Sequence, residues 1–329
     1  MSLFMGRYDL RSPEFAGWNR ADMYRVALEQ IAWMDDHGFD GVVLSEHHGV
    51  DDGYLPSPLT MAGAIAATTR RMAITIAALL TPLYDPIRLA EDIAVVQTIS
   101  GGRLTIVMGL GYRQSEYEMF GADWKRRGDL IEEALIIVKA ALAGEEVAYR
   151  GHTFKVTPVP DQPPLLLYGG GSLAAAKRAA RLDLPLMPQH AGPEVAEAYQ
   201  AERERLGLAP GLVIQPSDGP GTIYCADDPE EFWAKAGPHL LHEATEYSSW
   251  QAGVKSAVHD RSQTVEEMKA AGVYAVMTPD ELIEYAASKP PLDGVTTHPL
   301  CGGMPEDLSW SSLELMANTV IPAVRADQG

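Results

Sequence analysis

Short apolar runs alternate with amphipathic helical segments along almost the whole chain. Continuous apolar runs such as Met72 to Leu80 are typical of parallel strands that are covered on both faces. Strands are predicted at 1–8, 41–45, 72–80, 103–108, 165–168, 184–187, 222–226 (with Val213 before it) and 294–298. Helices are predicted at 21–37, 58–69, 86–99, 126–143, 172–182, 193–206, from 229 onward and at 310–324. Eight such pairs predict an α/β fold, a (β/α)₈ TIM barrel in a single domain over residues 1–329.

A doubly wound open sheet is the alternative fold with the same alternation. Such a sheet usually carries a dinucleotide-binding fingerprint after its first strand, and Tyr8-Asp9-Leu10-Arg11 is not one. Residues 149–159 indicate a β excursion from the barrel. Residues 243–274 do not fit a minimal barrel, so we expect an extra helical insertion beside strand seven.

The triplet Glu46-His47-His48 ends the second predicted strand. Active sites of barrels lie at the carboxyl ends of the strands, so His47 and Glu46 are candidate catalytic residues. The alternative is that the histidines are hydrogen-bonded structural residues. Neighbouring side chains on a strand point to opposite faces, and no His-x-His or His-x-x-x-His spacing is present. We therefore expect no metal here.

Two glycine-rich turns are candidate binding sites. Gly169 to Ser172 stands at a strand-to-helix junction, where Gly170, Gly171 and Ser172 can offer backbone N–H groups to a phosphate. An ordinary N-capped turn is the alternative. The segment from Gly109 through Gly111 to Arg113 is half a dinucleotide fingerprint, because Gln114 replaces its last glycine. It is either a tight turn or a place where the backbone approaches a flat ligand, with Arg113 as an anion partner.

Composition excludes several classes of protein. The net charge of -19 argues against nucleic acid as a partner, because phosphates are repelled by an acidic surface. Cys225 and Cys301 are far apart, which gives neither a disulfide framework nor a Cys-x-x-Cys zinc site. Apolar runs of strand length are too short to cross a bilayer, and the N-terminus does not resemble a signal peptide. A cytoplasmic protein without membrane partners is expected.

Several stretches together resemble the bacterial luciferase-like flavin-dependent monooxygenase superfamily. Gly38 to His48 resembles the second strand of that family, and Thr81 to Asp92 followed by Ser100-Gly101-Gly102-Arg103 resembles its most recognisable signature. Gly111 to Gly121 is similar to the stretch after strand four, and Ser309 to Pro322 to the final helix. The likeness covers nearly the whole chain and is weakest over 230–273.

The resemblance implies a barrel that binds a reduced flavin with its ring in the mouth. His47 matches a histidine beside the ring, and Ala78 matches a residue behind it, in a place where a non-proline cis peptide is common. Gly171 and Ser172 match the phosphate site. At the position of Leu110, luciferase has an arginine that contacts the phosphate. Leucine cannot donate a hydrogen bond, so we expect Arg113 to contact the phosphate here.

The function that the resemblance implies is an FMN-dependent monooxygenase. Reduced FMN would come from a separate flavin reductase, since no NAD-binding fingerprint is present, and oxygen would be inserted into a small organic substrate. A homodimer is implied as well. A deazaflavin-dependent enzyme that transfers hydride is the alternative, which the acidic chain disfavours. A non-catalytic flavin-binding barrel or partner subunit is the alternative of another class.

Overall fold

The computed structural model describes residues 2–190, 192–216, 218–250, 260–290 and 292–326. The strands among these residues are β1 (Leu3–Tyr8), β2 (Gly41–Leu44), β3 (Ala73–Leu80), β4 (Leu104–Gly109), β5 (Glu146–Tyr149), β6 (His152–Lys155), β7 (Leu165–Gly169), β8 (Leu186–Met187), β9 (Thr222–Cys225), β10 (Tyr274–Met277) and β11 (Gly294–Thr297). The α-helices are α1 (Arg20–Asp36), α2 (Pro58–Thr68), α3 (Pro86–Ser100), α4 (Gln114–Phe120), α5 (Arg127–Leu142), α6 (Leu173–Arg181), α7 (Pro193–Arg205), α8 (Pro229–Trp250), α9 (Val265–Ala271), α10 (Pro279–Ala287), α11 (Glu306–Leu315) and α12 (Ile321–Ala326).

A curled parallel sheet of seven strands forms the centre of the fold, in the order β11-β1-β2-β3-β4-β7-β8. Its register is continuous, with Leu3 opposite Gly294 and Met5 opposite Gly41. Because the strands are parallel, their carboxyl ends meet at one edge, and the loops after β1, β2, β3, β4, β7 and β11 converge there. Inward side chains such as Phe4, Val42 and Ile74 are fully buried and form the core.

Most of the predicted strands and helices are confirmed, with boundaries that shift by a few residues. The eight-stranded barrel is confirmed in part. Predicted strand seven exists as β9, but it pairs in parallel with β10, a strand that the sequence analysis missed. In the described part of the chain β9 and β11 belong to different sheets: the Cys225 N–H donates to Ser312 Oγ in α11, and the Tyr224 hydroxyl donates to the His298 carbonyl just after β11. Side chains thus satisfy the backbone N–H of Cys225 and the backbone carbonyl of His298.

The predicted helical insertion over residues 243–274 is not confirmed. Glu243 to Trp250 continue α8, because the buried side chains of Glu243, Ala244 and Tyr247 extend its packed face. Residues 251–259 lie outside the described residues, and α9 and β10 follow. The predicted final helix is α11 and α12 joined by a π-helical turn at Met316–Val320.

The signature Ser100 to Arg103 has a structural role in this fold. Gly101 ends α3 in the left-handed conformation, with a φ of 65°. The guanidinium of Arg103 donates to the carbonyls of Ala66, Thr69 and Met72. The three carbonyls lie at the end of α2 and just beyond it. Arg103 therefore links the end of this helix to the start of β4 through hydrogen bonds.

None of the helices in the described part of the chain is both long and apolar enough to cross a membrane.

Candidate functional site

His47 is held at both ring nitrogens just after β2. Its Nδ1 lies 2.8 Å from Oε1 of Glu116 in α4, and its Nε2 lies 2.8 Å from the hydroxyl of Tyr112. The backbone N–H of His48 also donates to Glu116 Oε1, at 3.0 Å. His47 and Glu116 are both buried. The loop after β2 and the segment after β4 thus bring together the imidazole of His47, the carboxylate of Glu116 and the phenol of Tyr112.

The burial and charge of His47 and Glu116 determine which ring nitrogen of His47 carries a proton. Burial lowers the pKa of His47 against the opposing effect of Glu116, so the neutral ring predominates near pH 7. Burial alone would raise the pKa of Glu116, but its hydrogen bonds with His47 and His48 lower it. An ionised carboxylate only accepts, which assigns the proton of neutral His47 to Nδ1 and makes Nε2 an acceptor toward Tyr112.

Glu46 contacts the other histidine. Its Oε1 lies 2.9 Å from Nε2 of His48, and its Oε2 accepts the backbone N–H of Leu80 at 2.6 Å. The hydroxyl of Tyr84 also donates to Glu46. The sequence analysis made Glu46 a candidate catalytic residue beside His47, and the structure makes Glu116 the partner of His47. The opposite orientation of His47 and His48 agrees with strand alternation.

An aromatic wall covers the open side of His47. The rings of Tyr54 and Trp250 each lie 4.9 Å from the His47 ring, and Tyr247 lies 6.1 Å away. The guanidinium carbon of Arg11 lies 4.6 Å from the centre of the Trp250 ring. Tyr247 and Trp250 belong to the last turns of α8, so this helix closes one side of the mouth.

Small residues line the neighbouring strand ends. The Ala77–Ala78 peptide bond is cis, as the resemblance implied. A Cβ on Gly109 would lie 2.8 Å from the Cβ of Ala78, so these two candidate residues are in direct contact. Gly111 has a φ of 73° and turns the chain toward Tyr112 and Glu116. The ends of β3 and β4 and the turn after β4 therefore carry small residues at Ala78, Gly109 and Gly111.

The predicted phosphate turn opens α6. The Ser172 hydroxyl accepts from the N–H of Ala175 at 3.1 Å, which is an N-cap. A Cβ on Gly170 would lie 2.7 Å from Ala175, and one on Gly171 would lie 3.1 Å from the His190 ring. The cap interpretation of Ser172 is therefore confirmed, and it does not exclude a bound anion.

Arg113 lies in the His47 cluster. Its guanidinium donates to the His48 carbonyl at 2.8 Å and to Glu116 at 3.1 Å, and it lies 4.5 Å from the Trp250 ring centre. Its role as the anion partner of a phosphate stays a prediction.

A second polar cluster, buried beside the mouth, was missed from sequence. Arg7 NH2 lies 3.1 Å from Glu243 Oε1, and Nε2 of His298 lies 3.2 Å from Asp9 Oδ1. Burial by itself lowers the pKa of His298, but the carboxylates of Asp9 and Glu243 outweigh it and raise the pKa above its ordinary value. The available signal was His298 itself, the last residue of predicted strand eight. Glu243 gave none, because it lies on a helix.

The parallel α/β fold, with its polar site at the carboxyl ends of the strands, defines a protein of the TIM-barrel type. The chain belongs to the luciferase-like monooxygenase family, whose family model matches residues 10–289. This match confirms the resemblance read from the sequence.

Solved structures of low identity share this fold. The monooxygenase RslO1 from Streptomyces bottropensis is similar with a TM-score of 0.72 and 22% identity, over 97% of this chain and 99% of that chain. The oxygenating constituent of 3,6-diketocamphane monooxygenase from Pseudomonas putida, solved in complex with FMN, gives a TM-score of 0.70 and 19% identity, over 98% and 99% of the two chains.

Curated relatives match over part of their length. The F420-dependent glucose-6-phosphate dehydrogenase of Microbacterium testaceum is 31% identical over 163 residues, which cover 45% of this chain and 47% of that protein. The chain spans less than half the length of the curated relatives that it matches.

Proposed function

We propose that this protein is an FMN-dependent monooxygenase that acts on a small organic substrate with molecular oxygen. The observation that carries the proposal is His47, a buried imidazole fixed by Glu116 and Tyr112 beside the small strand ends at Ala78 and Gly109. The family is one of oxidoreductases, and a neighbour of the same fold was solved with FMN.

The described residues fit a flavin mononucleotide. A side chain at Gly109 would collide with Ala78, so this surface is kept flat enough for a ring. At Gly171, a Cβ would fill the space next to His190, where the start of α6 presents backbone N–H groups. Ala78, Gly109 and Gly111 would hold the ring, and Gly170, Gly171 and Ser172 would hold the phosphate.

The chain's own residues supply positioning and proton transfer. A bound reduced flavin supplies the electrons that activate oxygen. His47 Nε2 accepts a hydrogen bond while the ring is neutral, and it can take a proton delivered through Tyr112. Glu116 keeps the imidazole in one tautomer and stabilises it when it is protonated. The Tyr54, Tyr247 and Trp250 rings exclude water from His47.

Three further parts of the proposal concern partners and organisation. A separate flavin reductase supplies the reduced FMN, two copies of the chain form a homodimer, and Arg113 assists the phosphate. Light scattering at several protein concentrations tests the dimer. Activity with and without an added NADH-dependent flavin reductase tests the electron source.

A deazaflavin-dependent hydride transfer is the second candidate function. The 31% identity to an F420-dependent dehydrogenase favours it, and the His47–Glu116 pair suits proton transfer in either reaction. The net charge of -19 disfavours the deazaflavin, whose tail is anionic. A flavin-binding barrel without catalysis is the third candidate, and the buried His47–Glu116–Tyr112 arrangement argues against it.

One experiment separates the three functions. Reduced FMN and reduced deazaflavin are titrated anaerobically into the protein, and oxygen uptake is then followed with and without a panel of small organic substrates. The proposal expects tight binding of reduced FMN and substrate-dependent oxygen uptake that His47→Gln lowers about 100-fold. His48→Gln is the matched control, because the His48 ring bonds Glu46 and the substitution leaves its backbone N–H bond to Glu116 in place. Binding of the deazaflavin alone would establish the second function, and binding without turnover the third.

A further inference from the structure

Three potential metal ligands meet in the barrel interior, apart from His47. They are Glu243 on α8 and His298 and Cys301 on the segment after β11, and all three are buried. One ligand atom of each lies within 4.8 Å of the others. Cys301 Sγ lies 2.7 Å from Glu243 Oε2, and His298 Nδ1 lies 3.4 Å from Glu243 Oε1. Ligand atoms around a tetrahedral zinc ion are about 3.3 to 3.8 Å apart, so small shifts would suffice.

Polar atoms in this group lack hydrogen bonds. Among the residues that the structure describes, neither ring nitrogen of His298 makes a hydrogen bond, and Glu243 Oε1 accepts none. The carboxylates of Asp9 and Glu243 lie only at ion-pair distance from the His298 nitrogens. His298 and Glu243 are fully buried. Buried polar atoms without hydrogen bonds are rare in proteins, and an ion bound between them is one of the arrangements that satisfy them.

A carboxylate lies at ion-pair distance from the far side of the His298 ring, where metal-bound histidines usually have one. Asp9 Oδ1 lies 3.2 Å from Nε2, the nitrogen that faces away from Glu243. Metal-ligating histidines usually donate their distal N–H to a carboxylate, which fixes the ring and strengthens the ligand. Asp9 lies just after β1, so it orients His298 from the neighbouring strand.

The local charge is compatible with a dication. Arg7, Asp9 and Glu243 together carry a net charge of -1 when His298 is in the neutral form that a metal ion requires and Cys301 is a thiol. A divalent ion bound to the Cys301 thiolate adds +1 and brings the sum to zero. Arg7 lies 3.1 Å from Glu243 Oε1, so the metal would bind Oε2, to which the Tyr274 hydroxyl also donates at 3.1 Å.

We propose that Glu243, His298 and Cys301 bind a zinc ion that ties α8 to the segment after β11. The ligand set of one carboxylate, one imidazole and one thiolate suits zinc and leaves a fourth position open. On binding, the Cys301 S–H bond breaks and the sulfur–zinc bond forms; the thiol proton and any proton on His298 Nδ1 leave to solvent, without any change of oxidation state. The expectation of no metal rested on the local spacing of histidines. That spacing cannot reveal a ligand set such as this one, whose members are up to 58 positions apart in the chain.

The test uses cobalt as a spectroscopic probe in the full-length protein. Metal content is measured after expression in zinc-supplemented medium, and metal-free protein is then refolded with Co²⁺. We expect about one zinc per chain as isolated, and a thiolate-to-cobalt charge-transfer band in the refolded protein. Zinc at 100 times its Kd should raise the Tm by about 5 °C.

Cys225→Ser is the matched control, because Cys225 is the other buried cysteine and lies in β9 outside the ligand set. This variant should keep the band, since Cys301 is then the sole thiol. Cys301→Ser should lose the band, and Glu243→Gln, which keeps the side-chain shape, should weaken zinc binding at least tenfold. Protein isolated without zinc that also shows no band after refolding with Co²⁺ would overturn the proposal. A band that survives in Cys301→Ser would do the same.

Discussion

His47 and Glu116 are 69 positions apart in the chain, and their side chains share a 2.8 Å hydrogen bond at the carboxyl edge of the sheet. The bond joins the loop after β2 to α4, the short helix that follows β4. Because the carboxylate only accepts, the bond decides which nitrogen of neutral His47 carries the proton. The orientation of the proposed proton carrier is therefore set by a residue outside the Glu46-His47-His48 triplet.

Replacing Glu116 by Gln should shift the pH dependence of activity. Burial places the pKa of His47 below 6.5, so activity that needs the neutral ring is complete above this pKa and is lost as pH falls through it. Glu116 raises the pKa of His47, and removing its charge moves the acid limb of kcat/KM to lower pH. The maximal rate should fall about 10- to 100-fold, since the protonated ring loses its counter-charge.

Profiles of kcat/KM between pH 4.5 and 8 check this expectation. Glu118→Gln is the matched control, because Glu118 lies on the same helix but is exposed and bonds Gln114. An acid limb that moves to higher pH in Glu116→Gln would contradict the assigned role.

Replacing Glu46 by Gln should act on stability. Glu46 accepts from the Leu80 N–H at the end of β3 and from the Tyr84 hydroxyl just beyond it, and both bonds hold the loop after β2 in place. An amide can satisfy only part of this set, so the free energy of unfolding should fall by about 1–3 kcal/mol. Urea denaturation measures the change. The acid limb of the pH profile should stay in place, because Glu46 bonds His48; a shift equal to that of Glu116→Gln would assign Glu46 to the His47 site.

Replacing Gly171 by Val tests the phosphate turn. The added Cβ would approach the His190 ring and narrow the space before α6, while the backbone at Gly171 does not adopt a left-handed conformation. The fold should therefore persist, and the Kd for FMN should rise about 10- to 100-fold, as expected for lost hydrogen bonds to a charged group.

Riboflavin, which has no phosphate, is the matched ligand for this variant. Its Kd should change much less than that of FMN in the same fluorescence titration. Gly63→Ala is the control substitution, since a Cβ there meets only Val96, at 3.9 Å. Equal losses for both ligands would place the phosphate elsewhere.

The strands and most helices were predictable because their signals are local. An apolar run such as Met72 to Leu80 or a proline at the first position of a helix is visible in a few residues, and the site edge follows from the parallel order. The strand β10 was missed although Val273 to Met277 is an apolar run, because residues 243–274 were assigned to a helical insertion. The predicted insertion is not confirmed, because Glu243 to Trp250 continue α8, which runs through Pro238 although proline usually breaks a helix.

Side-chain partners were the least predictable part of the site. His47 was identified from its place after a strand, but the choice between Glu46 and Glu116 depends on how the loop after β4 folds back. The same applies to Glu243, whose partners His298 and Arg7 come from opposite ends of the chain. Contacts between residues distant in sequence leave no periodic pattern to read.

Trp250 should control the access of water to His47. Its ring lies 4.9 Å from the imidazole and within 4.6 Å of the guanidinium carbons of Arg11 and Arg113. Trp250→Ala opens this side of the mouth, so His47 becomes better hydrated and its pKa should rise toward 6.5. NMR titration of the histidine ring protons measures this shift without any cofactor.

In turnover, the amount of product formed by Trp250→Ala per oxygen consumed should fall about two- to tenfold, because water reaches the site. Trp250→Phe should restore much of both properties by retaining an aromatic ring. Trp310→Ala, which removes a partly buried tryptophan packed on Trp33, should leave both unchanged. An unaltered pKa of His47 in Trp250→Ala would show that the wall does not shield it.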